Sequence, residues 1–179
     1  MIGKKLNDAI NDQIKNELES YYIYLSMAAY FHSKALDGMG HWMRVQAHEE
    51  MVHAMKFMNH LIDRGGKVLL KDLKQLKTSW KSPLEAFQDA YKHEQFITSK
   101  INALTTIARH EKEYASEPML AWFSDEQIEE ESNTSKIMEQ ISMVGADKSG
   151  LLMMDRELAA RAYPPGSPFD PVAIAGGAA

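Results

Sequence analysis

Four stretches of this chain carry an apolar stripe at helical spacing, and an acid or amide breaks each stripe near its middle. Stepping alternately by three and four, the first stripe reads Ile10, Ile14, Glu17, Tyr21, Tyr24, Ala28 and the second Met43, Ala47, Glu50, Ala54, Phe57, Leu61. The third reads Leu84, Phe87, Tyr91, Glu94, Thr98, Ile101 and the fourth Leu120, Phe123, Gln127, Glu130, Thr134, Ile137, Ile141. A lone carboxylate in a core is costly and protonates instead of staying charged. Taken singly, such an acid is more often a misjudged helix phase, and His53 alone more often a packed core histidine. Four stripes making the same expensive choice point instead to a shared cation. The spacing repeats as well: Glu17 and Glu50 stand 33 residues apart, and so do Glu94 and Gln127. Each half of the chain thus offers one carboxylate and then a pair three apart, Glu50 with His53 and Gln127 with Glu130. Residues three apart share a helix face, so both members of a pair can reach one ion. Oxygen donors with one imidazole suit iron or manganese, and zinc can occupy such a site too.

The elements that must hold these groups follow from the helix breakers. The six prolines all lie at or beyond position 83, and glycines cluster at 38/40, 65/66 and 145/150. Four long segments result, roughly 5–35, 40–64, 83–113 and 117–144, with a shorter fifth at 148–162, all rich in good helix formers. Ser82-Pro83-Leu84-Glu85 supplies a capping serine, proline at the first helical position and glutamate at the third. Gly65 and Gly145 each follow a segment as a left-handed stop. Asp37-Gly38 is read as a short turn, which makes the first two helices antiparallel neighbours. Residues 65–81, by contrast, form a 17-residue connection. Extended at ~3.3 Å per residue it reaches about 56 Å, and a 28-residue helix is about 42 Å long. It can cross the whole bundle and set the third helix parallel to the second. Two hairpins joined by one long crossover make a specific four-helix topology.

Composition bounds the partners. The chain has 179 residues with 25 acids, 20 bases and no cysteine. One domain of this length buries most of its apolar surface. A net charge of −5 argues against nucleic-acid or anionic-membrane binding, which need a basic face. No apolar run approaches the ~20 residues of a membrane span. The lack of cysteine excludes disulfides, thiolate clusters and a thiol nucleophile. It fits a reducing compartment, and the polar N-terminus does not read as a signal peptide, so a cytoplasmic location is expected. Residues 163–179, rich in Pro, Gly and Ala, read as a flexible tail on a domain spanning 1–162.

Over those first 162 residues the sequence resembles the ferritin family, and within it the prokaryotic non-haem ferritins. The stretches that carry the likeness are NELESYYIYLSMAAYF, HWMRVQAHEEMVHAMKF and LAWFSDEQIEEE. The resemblance implies an all-α, ferritin-like four-helix bundle with a short fifth helix, assembled as a homo-oligomeric cage of 24 subunits. It implies oxidation of Fe(II) by O2 or peroxide at a ferroxidase centre inside each subunit, and storage of Fe(III) as mineral. By position, Glu17, Glu50 and His53 match the ligands of a first iron. Glu50, Glu94 and Glu130 match those of a second, with Gln127 close by. Glu49, Glu126, Glu129 and Glu130 match a third site, and Tyr24 and Trp122 match aromatic residues able to supply an electron. Without the resemblance, Glu129 and its neighbours read as a solvated acidic face, and Tyr24 and Trp122 as packing. The fourth helix has Gln127-x-x-Glu130 where the haem-binding branch keeps Glu-x-x-His. Met51 occupies the position where that branch uses a methionine for haem. Met51, Met55 and Met58 are read as packing, and haem is not expected.

Three other functions remain open to measurement. A di-iron peroxidase of the rubrerythrin kind would hold two irons per chain and commonly adds a Cys-bearing module. A DNA-protecting mini-ferritin would build its sites between subunits and carry a basic arm. A helical interaction module would bind no metal.

Overall fold

In the computed structural model of the protein, residues 2–164 and Ser167 are described. The chain forms α1 (Lys4–Ser33), α2 (Asp37–Asp63), α3 (Pro83–His110), a single 3-10 turn (Tyr114–Ser116), α4 (Glu117–Val144) and α5 (Lys148–Leu158). This is the four-helix bundle with a short fifth helix that the breakers predict. The tail expected at 163–179 lies outside the described residues, apart from Tyr163, Pro164 and Ser167.

The local signals act as expected at several ends. The Ser82 side chain accepts from the Glu85 backbone N–H at 3.2 Å, and Pro83 opens α3. Asp147 caps α5 by accepting from the N–H groups of Ser149 and Gly150 at 3.0 and 3.2 Å. Gly65 and Gly145 adopt φ of 67° and 57°.

Contacts fix the helix directions. Phe31 packs on Phe87 with ring centroids 5.7 Å apart, and the Tyr24 hydroxyl reaches Glu94, so α1 and α3 run antiparallel. Between α2 and α4, Phe57 stacks on Phe123 at 4.0 Å and His60 pairs with Ser116 at 2.8 Å, again antiparallel. The Ile2 N–H donates to the Arg64 carbonyl at 3.2 Å, so α1 and α2 are antiparallel too, and α2 and α3 are therefore parallel, joined by the long connection 64–82. That connection has no ladder of its own, so its backbone polar groups need partners, and polar side chains of α1 supply them. Asn11 donates to the Lys67 carbonyl (2.8 Å) and accepts from the Leu69 N–H (2.6 Å), Glu19 accepts from the Lys74 N–H (3.0 Å), and Ser26 donates to the Lys77 carbonyl (2.8 Å). Trp80 then seals the far end against Tyr30, 5.3 Å between centroids.

Two positions differ from the sequence reading. Asp37-Gly38 is not the turn: the α1–α2 connection is 34–36, with Ala35 at φ 56°, and both residues belong to α2. Gly38 is small for another reason. A Cβ there would sit 1.7 Å from the Asp155 carbonyl oxygen of α5, which crosses at that point while the Asp155 side chain accepts from the Met39 N–H at 2.8 Å. The fifth helix also ends at Leu158 and not near 162. Gly38→Ala is expected to push α5 off the bundle. Overpacking of this kind costs about 1–3 kcal/mol, and α5 buries no residue fully, so releasing it is cheaper than distorting α2. Limited proteolysis should cut within 145–161 about tenfold faster or more, with the melting temperature of the bundle nearly unchanged.

The core is split. One apolar cluster gathers Tyr24, Met27, Phe31, Met43, Phe87 and Ile137, and a second gathers Ile10, Ile14, Phe57, Ile101, Leu120 and Phe123. Buried polar groups from all four long helices lie at mid-length: Glu17, Ser20, Gln46, Glu50, His53, Glu94, Gln127 and Glu130.

Candidate metal centre

Glu17 of α1 and Glu50 and His53 of α2 present donor atoms that all lie within 4.8 Å of one another, and all three residues are buried. No more than 3% of any of them is exposed. Glu17 Oε2 has no hydrogen-bond partner. A buried carboxylate oxygen left unpaired is costly, and an ion at this cluster would satisfy it. His53 is held in orientation by rings: Trp122 meets it edge-on at 5.6 Å and Phe123 at 5.5 Å. Its Nδ1 stands 3.6 Å from Glu50 Oε2, and its Nε2 stands 3.8 Å from Glu126.

The second half of the site lies on α3 and α4. Glu94 accepts from the Tyr24 hydroxyl, and the Gln127 amide donates to the Glu94 backbone carbonyl at 3.2 Å. Glu130 is 4% exposed and its Oε2 is also unpaired. Among the described residues, Glu94 and Glu130 stand outside the tight Glu17–Glu50–His53 group. The residues read as a third site differ in their surroundings, although the Glu49 charge is felt at Glu130 and the Glu126 charge at Glu49. Glu49 is paired with Arg161 at 2.5 Å, Glu126 leans toward His53, and Glu129 is exposed. Tyr24 is fully buried. Trp122 is half-buried, with the Lys56 ammonium 3.8 Å above its ring. Met51 is half-buried, and Met58 packs against the second apolar cluster.

Sequence reasoning missed Gln13 and Gln46. Gln13 donates to Glu17 at 2.7 Å and Gln46 to Glu50 at 2.9 Å, each one helical turn before the acid it steadies. The signal was available, because Gln-x-x-x-Glu occurs at both acids and the two glutamines are themselves 33 residues apart. Such partners fix the orientation of a metal-binding carboxylate. His93 was missed too; it shares a 2.7 Å hydrogen bond with Ser20 beside Tyr24.

The electrostatics describe a site awaiting positive charge. Burial, reinforced by the Glu50 charge, pushes Glu17 up to about 8. Burial, with Glu50 and Glu49, pushes Glu130 up to about 8. Burial, Glu50 and Glu130 raise Glu94 well above the carboxylate range. Burial alone would raise Glu50 as well, but His53 and the Gln46 amide outweigh it and leave Glu50 low. Burial disfavours a charged His53, yet Glu126, Glu50 and Glu17 together hold it well above the ordinary imidazole value. Near neutral pH the metal-free centre therefore keeps protons on Glu17, Glu94 and Glu130 around a His53–Glu50 ion pair. A divalent ion bound there would replace that charge and release the protons.

Comparison with known proteins places the fold in a family. A ferritin-like domain family model covers residues 7–144. The bacterial non-heme ferritin of Bacteroides fragilis (strain 638R) is 37% identical over 161 residues, covering 90% of this chain and 100% of the relative. That of Staphylococcus haemolyticus (strain JCSC1435) is 36% identical over 163 residues, covering 91% and 98%. Among solved structures, an open-pore ferritin from Archaeoglobus fulgidus superposes with a TM-score of 0.89 at 42% identity, covering 90% of this chain and 100% of that one. A form of the Archaeoglobus fulgidus ferritin engineered to be closed gives 0.90 at 41%, covering 92% and 100%. The chain belongs to the ferritin family.

Proposed function

We propose that this protein stores and detoxifies iron: it oxidises Fe(II) at a di-iron centre inside each subunit and deposits Fe(III) as mineral within a cage of 24 subunits in the cytoplasm. The observation that carries this is the buried Glu17–Glu50–His53 cluster with its unpaired carboxylate oxygen. The first Fe(II) binds there. The second binds between Glu50, Glu94 and Glu130, with Gln127 beside it, so that Glu50 is shared. Each Fe(II) gives one electron, and O2 with two protons leaves as H2O2; with H2O2 as oxidant, two waters form. The protons on Glu17, Glu94 and Glu130 are displaced as the metals enter. Tyr24, hydrogen-bonded to Glu94, and Trp122, against His53, are placed to lend an electron. Glu49, Glu126, Glu129 and Glu130 form a third, weaker site for iron in transit. Neutral Gln127 in place of a second histidine-bearing pair weakens the hold on the second iron, which suits iron that must move on.

The test is the iron-to-subunit ratio after aerobic Fe(II) addition, read together with mass by size exclusion. Hundreds of irons or more per assembly of about 24 chains is the expected result. Two irons per chain at saturation, whatever the assembly, would instead indicate a substrate-directed di-iron enzyme.

A further inference from the structure

The C-terminal segment after α5 returns to α2 and lays a cation beside the centre. Arg161 uses the two arms of its guanidinium on two different residues: one donates to Gln46 Oε1 at 2.8 Å and the other to Glu49 Oε2 at 2.5 Å. The group is fixed from three further directions. Its plane lies 4.3 Å over the Trp42 ring, its backbone carbonyl is 2.7 Å from His41 Nε2, and Tyr163 packs against the His41 ring at 5.5 Å. The Arg161 and Glu49 side chains keep only 19% and 26% of their surface exposed.

Both partners of Arg161 matter to metal. Gln46 takes the Arg161 N–H at its oxygen, so its amide nitrogen must face the other way, and it donates to Glu50. Glu49 is close enough for its charge to be felt at Glu130, whose Oε2 is buried and unpaired. A guanidinium stays charged at every working pH, and its fork holds two acceptors in fixed directions. We propose that Arg161 is a built-in competitor of metal at Glu49: its guanidinium occupies the carboxylate that would complete the third site, so a third ion binds only when the C-terminal segment yields. This rests on the reading of Glu49 as a metal ligand. The segment then governs how many ions each subunit holds and when the outermost one can be taken up, while its grip on Gln46 positions Glu50.

Zinc, which is redox-inert, is the probe, titrated by calorimetry into the full-length assembly. Arg161→Met removes the charge but keeps an aliphatic stem over Trp42; Arg161→Lys keeps a charge. Arg161→Met is expected to bind one more zinc per subunit than the unaltered protein in the same concentration range, or to bind that ion about tenfold more tightly or better, since a charge-assisted pair no longer competes. Arg161→Lys should resemble the unaltered protein. The extra equivalent should vanish in Arg161→Met combined with Glu49→Gln. Identical isotherms for Arg161→Met and the unaltered protein would overturn the proposal, and so would an extra equivalent that survives Glu49→Gln. Glu50→Ala reports on the inner centre separately: if it leaves the zinc count unchanged, the di-iron reading fails whatever Arg161 does.

Discussion

Glu50→Ala is expected to lower the initial rate of Fe(II) oxidation by at least about 100-fold, because loss even of a group that merely orients a metal ligand costs 10–100-fold and the proposed function has both irons share Glu50. The same change should leave the metal-free fold intact. In the empty centre the Glu50 charge is a source of repulsion that raises Glu17, Glu94 and Glu130. Removing it lowers the cost of ionising those three acids, so that Glu17, together with Glu126, can balance the His53 charge in its place. Stopped-flow oxidation and melting curves on the same samples make the comparison, with Glu139→Ala, an exposed acid on α4, as the control. An oxidation rate within a few-fold of the control would refute the shared-ligand role. A collapsed melting temperature would mean that Glu50 is held for stability.

Metal-free protein should lose stability as pH rises from about 5 to above 8, the reverse of what salt-bridged carboxylates give. Glu17 and Glu130 have folded values near 8 against an ordinary 4.5. Between those limits the folded chain holds protons that the unfolded chain has given up. Stability from these two groups is complete below about 4.5 and disappears as pH passes about 8. His53, raised above its ordinary value, adds to the loss on the alkaline side. Glu50, held low, acts the other way and only as pH falls through the acid range. Metal-loaded protein has already surrendered those protons and should show little of this slope. Melting the apo and zinc-loaded forms from pH 5 to 8.5 checks the sign, and Glu17→Gln, which keeps a neutral amide in place, should flatten the apo curve. An apo melting temperature that rises across this interval would contradict the protonation pattern.

The bundle was legible because its signals are periodic and its breakers sparse. Ser82-Pro83, Gly65 and Gly145 mark helix ends through chemistry that acts within one turn, and the length of 65–81 is enough to permit a crossover. The buried acids Glu17, Glu50 and Glu94 were legible because each interrupts an otherwise apolar stripe. What escaped depends on contacts distant in sequence. Gly38 looks like a turn until α5 is seen to cross it 117 residues later. Ala35 takes positive φ with nothing in its side chain to announce it. Gln13 and Gln46 carry the right spacing, yet a glutamine on an apolar face gives no hint of its partner until the acid one turn away is known to be buried. Arg161 lies past the end of the periodic pattern, where sequence offers no register with which to place it on Glu49.

The separation of the core into two apolar clusters also shapes how this chain can change over generations. Hydrocarbon packing stops at the polar belt, so a change of volume at Phe31 or Met43 is not transmitted by direct contact to Phe57 or Leu120, and substitutions at the two ends should combine additively. Either end can drift, fill or loosen independently of the other. The belt is the one layer in which a substitution must answer to both halves at once.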